Sequence, residues 1–142
     1  MLPRITSLER YKRELGKSIK YTGPLHAERL FSEVITNDLL AYPSYRDSFS
    51  MTILEALALG LKVVAYDIPA VKYFYKPSNM VYVVKKGDVE TFAKNIIRGF
   101  LEEREVDDYT RALIKMHSSW ERVAHAEFEA LLSILTEEIN YD

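Results

Sequence analysis

Residues 38–67 constrain the fold of this chain more than any other segment, because they read as a strand, a helix and a second strand in close succession. The runs DLLAYPS and KVVAYD are short and apolar, which is typical of buried strands. Between them, ILEALALG has helical spacing and ends at Gly60, a residue that often terminates a helix. A helix that joins two buried strands is typical of a parallel sheet.

Two carboxylates flank the predicted start of this helix. Asp47 lies in the polar turn PSYRDSFS after the first strand, and Glu55 lies about one turn into the helix. The first backbone N–H groups of a helix have no acceptor within it and suit a phosphorylated ligand. An ionised carboxylate accepts hydrogen bonds from hydroxyl donors such as those of a sugar. The combination predicts a nucleotide-sugar site.

The rest of the chain repeats the alternation of strand and helix, and the strands are nearly continuous apolar runs. Predicted strands cover 18–23, 38–44, 62–67 and 80–84, and predicted helices cover 7–15, 26–36, 51–60, 88–103, 106–117 and 118–139, with a turn or short helix at 70–75. Asp88 is the predicted N-cap of its helix, with Thr91 at the capping-box position. We expect a three-layer α/β/α fold with a parallel sheet of about four strands and a helical C-terminal end.

Right-handed connections place the loops after parallel strands on one edge of the sheet. The turns YTGPL, PSYRDSFS and YDIPA should therefore line a single crevice. No repeat or linker is visible, so residues 1–142 are expected to form a single domain. An open α/β sheet normally begins with a strand, whereas this chain opens with a predicted helix, so a piece of the sheet is expected to be missing on the N-terminal side.

Composition excludes several classes of partner and site. A net charge of −2 gives no polycationic surface, which argues against nucleic acid as the main partner. No apolar run approaches the ~20 residues of a membrane span, and the charged N-terminus lacks the apolar core of a secretory signal. The chain has no cysteine, and its three histidines lack metal-ligand spacing. We expect a cytoplasmic protein, with peripheral membrane association as a secondary option, that holds no metal or cofactor.

The run PSYRDSFSMTILEALALGLKVVAYDIPAV resembles the donor-site signature of retaining GT-B glycosyltransferases of glycosyltransferase family 4, the group 1 type, which are related to bacterial glycogen synthase and sucrose synthase. Flanking matches are YTGPL before it, VVKKGDVETFAKNI after it, and SWERVA near the end. The resemblance extends over roughly residues 8–135. It implies a Rossmann-like fold, the C-terminal half of a GT-B enzyme that binds a nucleoside-diphosphate sugar.

The resemblance also implies roles for individual residues. Glu55 matches a Glu that holds the ribose hydroxyls, and Asp47 matches a Glu that contacts the transferred sugar. The turn that follows Asp47 matches a Gly-Phe-Gly run whose amides approach the sugar and the diphosphate, and the YTGPL turn matches a loop beside the nucleobase. The implied catalytic residues are Asp47 and Glu55, and the implied substrate-binding residues are Ser48, Phe49, Ser50, Met51, Thr52, Gly23, Pro24 and Leu25.

Some family features differ or are missing. Asp47 is one methylene shorter than Glu, and Ser48 replaces a Gly. Two further strands, a Gly-Arg…Lys pair that grips the diphosphate, and the N-terminal acceptor domain have no counterpart in the sequence. The resemblance therefore implies the latter three-quarters of a donor domain. Such a chain is expected to need an N-terminal GT-B domain, in cis or in trans, for metal-independent retaining transfer.

A second hypothesis fits the same departures: a non-catalytic GT-B-like remnant, or a protein-interaction module. Local alternatives exist as well. Ser48 and Ser50 suit helix capping, Phe49 suits a core anchor of the turn, and Trp120 is expected to anchor the last helix to the sheet layer.

Overall fold

The computed structural model describes residues 16–139, without the side chains of residues 17 and 137–139. The chain forms two compact units, Met1–Ser32 and Glu33–Asp142, and each is described by itself. The helix predicted at 7–15 lies outside the described residues.

In the first unit, the described residues contain a 3₁₀ turn at Gly16–Ser18 and the start of helix α1, Ala27–Val34, which continues into the second unit. The strand predicted at 18–23 is wrong, because this segment is irregular. Its apolar side chains, Ile19 and Tyr21, are both exposed. A segment that buries so little apolar surface has little to offset the entropy lost when a strand is ordered.

Within its described residues, the second unit contains a parallel sheet of three strands, where about four were expected. The strands are β1 (Leu39–Tyr42), β2 (Lys62–Tyr66) and β3 (Val81–Val84), in the order β1-β2-β3. Helix α2 (Met51–Ala58) lies between β1 and β2 in the sequence, and a π-helical turn (Val71–Tyr75) lies between β2 and β3. The register pairs Leu40 with Val63 and Val64 with Tyr82. The α/β class with a parallel sheet is confirmed.

The core sits around β2, the central strand. Val63, Val64 and Ala65 are fully buried, so both faces of the sheet are covered, as expected for a parallel strand that is a continuous apolar run. Helix α3 (Val89–Leu101) packs on the face that carries Tyr82, where Gly99 has no Cβ and allows the helix to approach Leu39. Helix α2 contacts β1 and β2 through the side that includes Ile53 and Leu57.

The C-terminal part is helical, as predicted. Asp88 caps α3 by accepting a hydrogen bond from the Thr91 N–H at 3.0 Å, which confirms the predicted N-cap. Helix α4 (Asp108–Met116) is followed by α5 (Trp120–Ile139). Trp120 is 85% exposed, so the expectation that it anchors α5 to the sheet layer is wrong. Among the described residues, no helix combines the length and the apolar character that crossing a membrane requires.

Glu102 ties the end of α3 to the sheet. Its carboxylate accepts hydrogen bonds from Arg98, from Arg104 at 2.8 Å and from the Tyr82 hydroxyl at 3.1 Å. The Arg104 guanidinium also lies 4.0 Å from the centre of the Tyr82 ring. Arg98 first, and then Arg104, lower the pKa of Glu102 from 4.5 to about 2.

The Glu102→Gln variant tests this cluster. Because the pKa of Glu102 is lower in the folded state, its ionised form stabilises the fold above about pH 4.5, and that contribution is lost as the pH falls towards 2. We expect the variant to have a lower free energy of unfolding than wild type at pH 7, with a difference that shrinks below pH 4.5. Urea unfolding at several pH values measures this. The neighbouring Glu103→Gln is the matched control, and equal pH profiles for both variants would contradict the prediction.

Candidate functional site

The loops after the three parallel strands meet at the carboxyl edge of the sheet. The loop after β1, residues 43–50, is called here the Asp47 loop. Its Tyr45 ring contacts the Tyr66 ring at the end of β2, edge to face, with centroids 5.4 Å apart. A Cβ on Gly87, in the loop after β3, would lie 3.6 Å from the Tyr45 hydroxyl. The Asp47 loop therefore closes over the end of the central strand.

Asp47 is bound by its own loop. Its Oδ1 accepts hydrogen bonds from the N–H groups of Ser48 at 2.7 Å and Ser50 at 3.1 Å, with a longer contact from Phe49 at 3.3 Å. The Tyr42 hydroxyl, at the end of β1, donates to Oδ2. The Tyr42 hydrogen bond is the largest cause that lowers the pKa of Asp47, and the backbone N–H groups add to it. The carboxylate is held ionised at the base of the loop.

Ser50 carries the sharp bend of the loop. It has φ +65°, the left-handed region, and is only 2% exposed. Although Ser50 is the N-cap residue of α2, its side chain makes no capping hydrogen bond, so the capping interpretation is wrong at this position. Its Oγ is buried and has no hydrogen-bond partner among the described residues. A left-handed conformation in a residue other than glycine costs on the order of 1 kcal/mol, which other contacts must offset.

Tyr75 supplies one of those contacts. It comes from the π-helical turn and is fully buried, and its hydroxyl donates to the Ser50 carbonyl oxygen at 3.1 Å. Burial is the main cause that raises the pKa of Tyr75. Single-turn π-helices are frequent at functional sites. Here the turn directs Tyr75 towards the strained Ser50. Because the two residues are 25 positions apart, no local sequence pattern predicts this contact.

Phe49 anchors the outer side of the Asp47 loop, as expected for a core anchor. Its ring lies 5.0 Å from the Phe74 ring and 4.8 Å from the His117 ring, between centroids. Aromatic pairs at these separations favour tilted and edge-to-face arrangements, which are seen here. The loop is thus fixed at Asp47, Ser50 and Phe49.

Glu55 lies on a different kind of surface. The buried side of α2 consists of Ile53, Leu54, Ala56 and Leu57. Met51 and Thr52 precede Glu55 by four and three residues, so all three lie on the outward side of the helix. Glu55 is half-buried, and its carboxylate makes no hydrogen bond or ion pair within the described part of the chain. It remains available to a ligand.

The free N–H donors of the site are only part of the set that the resemblance implied. The N–H groups of Ser48 and Ser50 are occupied by Asp47. Those of Ile53 and Leu54 bind the Ser50 carbonyl oxygen. Within residues 16–139, the N–H groups of Met51 and Thr52 have no acceptor. The exposed start of α2 therefore presents these two donors, one turn from Glu55.

Sequence reasoning missed the cations of this edge. Arg46 lies in the Asp47 loop, and Lys85 and Lys86 follow β3; all three are exposed. A lysine pair followed by a glycine at a strand end is a signal that the sequence carried. Tyr42 and Tyr75 were also missed, because only the tertiary structure brings them to the loop.

The remaining predicted residues lie in the first unit. Gly23 has φ +69°, which suits a turn, and Pro24 and Leu25 follow it in irregular backbone. Their place beside a nucleobase stays a prediction. Among the described residues, no group of three or more His, Asp or Glu side chains is arranged to hold a metal ion.

The fold of this chain is similar to part of a solved structure. Sucrose-phosphate synthase from Thermosynechococcus elongatus matches with a TM-score of 0.74 and 20% sequence identity. The match covers 93% of this chain and 34% of that one, so the chain spans about a third of the matched structure. At this identity the likeness shows the fold: a Rossmann-like α/β domain of the GT-B type.

The sequence also matches a known protein family. No curated protein matches this sequence. The family described as glycosyl transferases group 1 matches residues 6–122, which is most of the chain and includes the whole Asp47 loop and α2. The chain therefore belongs to the group 1 glycosyltransferases.

Proposed function

We propose that this chain binds a nucleoside-diphosphate sugar as the donor part of a retaining glycosyltransferase of family 4. One observation carries the proposal. The start of α2 presents the acceptor-free N–H groups of Met51 and Thr52 beside the uncommitted carboxylate of Glu55. Anionic phosphate oxygens suit the first N–H groups of a helix, and ribose hydroxyls suit a carboxylate acceptor.

The same edge provides positive charge for the leaving group. When the glycosidic bond to a nucleoside diphosphate breaks, negative charge grows on the departing phosphate. Helix N–H groups aimed at that charge, with Arg46, Lys85 and Lys86 nearby, stabilise it electrostatically. These three residues are the proposed counterparts of the cationic pair that the family pattern places upstream. No metal ion is needed in this proposal.

Asp47 acts differently from Glu55 in the proposed site. An ionised carboxylate has about four acceptor positions, and Asp47 receives hydrogen bonds from the Ser48 and Ser50 N–H groups and from Tyr42, with Phe49 close by. Its main task is therefore to shape the loop that faces the transferred sugar. A direct contact with a sugar hydroxyl would have to use an acceptor position of the Asp47 carboxylate that these hydrogen bonds leave open.

A further domain is the proposed partner. Helix α5 exposes large apolar side chains along its described length, among them Phe128, Leu131 and Leu135. Exposed apolar patches of this kind mark interaction surfaces. We propose that an N-terminal GT-B domain, in cis or in trans, covers this surface and supplies the acceptor side. Without it, the chain should bind donor weakly and turn over nothing, because domain closure assembles such sites and excludes water. A cytoplasmic location is part of the proposal.

The second candidate is a non-catalytic remnant that keeps the fold. The commitment of Asp47 to its own loop favours it, since a shortened carboxylate held by four donors is poorly placed for chemistry. The two candidates differ in nucleotide binding. A remnant binds no nucleoside diphosphate and regains no activity when an N-terminal domain is added.

The Glu55→Gln variant tests the donor site. Glutamine keeps the size of the side chain but loses one charged acceptor, so affinity for a nucleoside diphosphate should fall about tenfold, equivalent to about 1.4 kcal/mol. Calorimetric titration with UDP, GDP and ADP measures it. Glu103→Gln, at the opposite edge of the sheet, is the control and should bind like wild type. Equal affinities for both variants would remove Glu55 from the site.

The Tyr42→Phe variant tests the lock on Asp47. It removes the hydroxyl donor and leaves the carboxylate, so the free energy of unfolding at pH 7 should fall by about 1 kcal/mol, a low value because the loop is partly exposed. Because the pKa of Asp47 is lowered in the folded state, the difference from wild type should vanish as the pH falls through that pKa. Urea unfolding measures both effects. Tyr45→Phe, in the same loop, is the control, and a pH-independent difference would argue against the lock.

A further inference from the structure

A groove of about 470 Å³ lies beside the Asp47 loop, between that loop and the start of α2 on one side and the α4–α5 junction on the other. Its volume is in the range of small-molecule sites. The donor proposal uses the backbone N–H of Met51 at one end of this groove, but it gives the side chains on the α4–α5 side no role. The lining residues are Phe49, Met51, His117, Ser118, Ser119, Trp120, Val123 and Glu127.

Two large apolar side chains that line the groove are exposed to solvent. The Trp120 side chain is 85% exposed and that of Met51 is 55% exposed. A tryptophan so exposed contributes little to packing of the core. It presents a flat aromatic face to anything that enters the groove, with Phe49 and Val123 also in the lining.

The polar part of the groove is oriented by local hydrogen bonds. Nδ1 of His117 lies 2.9 Å from the Leu113 carbonyl oxygen, and because a carbonyl only accepts, Nδ1 carries the proton. Nε2 makes no hydrogen bond among the described residues and can bind a hydroxyl group of a ligand. Ser118 donates to the Lys115 carbonyl oxygen, and Ser119 accepts from the Arg122 N–H, so each hydroxyl keeps further hydrogen-bonding capacity.

The charge of the groove narrows the ligand class. Glu127 is the one carboxylate in the lining, and the lining contains no Lys or Arg. Glu127 has no hydrogen-bond or ion-pair partner among residues 16–136, so it is an open acceptor. A phosphorylated ligand would be repelled by it. A neutral ligand that offers several hydroxyl donors and an apolar face fits the lining better.

We propose that this groove binds a saccharide, with one ring face on Trp120 and its hydroxyls on His117, Ser119 and Glu127. Sugar rings have C–H faces that pack on aromatic rings, and hydroxyl edges that need donors and acceptors. Phe49 links the groove to the Asp47 loop, since it lies two residues after Asp47 and its ring contacts His117 at 4.8 Å. Resting on the proposed donor function, the groove adds a saccharide contact of this chain to the acceptor side that the proposed N-terminal domain supplies.

The single tryptophan of the chain makes the test direct. We would titrate the whole chain with methyl α-D-glucopyranoside, methyl α-D-mannopyranoside, maltose and sucrose, and follow Trp120 fluorescence. At least one sugar should give a saturable change. By calorimetry, Trp120→Ala should lower its affinity about fivefold or more. Ile97→Ala, an exposed apolar residue of helix α3 outside the groove, is the control and should bind like wild type.

The outcomes separate this inference from the donor proposal. Sugar binding that survives Glu55→Gln supports the groove, even if UDP, GDP and ADP all fail to bind and the donor proposal falls. The groove assignment is overturned if no sugar gives a saturable change while a nucleotide binds, or if a nucleotide displaces the sugar. A Trp120 emission that changes with protein concentration, without ligand, would show a second copy in the groove and overturn it as well.

Discussion

The geometry of the site depends on the carboxylate of Asp47 inside its own loop. It accepts hydrogen bonds from the N–H groups of Ser48 and Ser50, because the bend of the loop points both groups towards it. Without that acceptor, the strain of the left-handed Ser50 would not be offset and its N–H would lack a partner. Tyr75 secures the other side of the same peptide by binding the Ser50 carbonyl. The start of α2, and hence the position of its free donors, follows from these contacts.

Two acidic residues that read alike in the sequence have separate roles in the structure. Asp47 is short, and a short carboxylate next to three consecutive N–H groups folds back on them. Glu55 stands on a regular helix, where the backbone N–H groups near it are already bonded and its longer side chain reaches outward. Environment, rather than residue type, leaves the Asp47 carboxylate bound within its loop and the Glu55 carboxylate without a hydrogen-bond partner in the described part of the chain.

The sequence predicted those parts of the fold that depend on local pattern and burial. The strand around Val63 and Val64 was predictable because a continuous apolar run must be covered on both faces. The strand predicted at 18–23 was wrong because the prediction rested on the β-propensity of these residues, and their apolar side chains are not buried in the structure. The tyrosine contacts of the site could not be predicted, because they join residues that only the packed sheet and the π-helical turn bring together. The role of Gly99 could not be predicted either, because it depends on the close approach of helix α3 to Leu39 in the folded structure.

The electrostatic potential at the carboxyl edge of the sheet also depends on which carboxylates are hydrogen-bonded to the backbone. A count of charges there gives Arg46, Lys85 and Lys86 against Asp47, Asp67 and Asp88, which suggests a neutral surface. Asp88, however, is bound to the first turn of α3 through Thr91, and Asp47 is bound to its loop, so N–H dipoles compensate both carboxylates locally. The cations have no such neighbours at hydrogen-bonding distance in the described part of the chain. The potential at this edge is therefore more positive than the count of charged residues indicates.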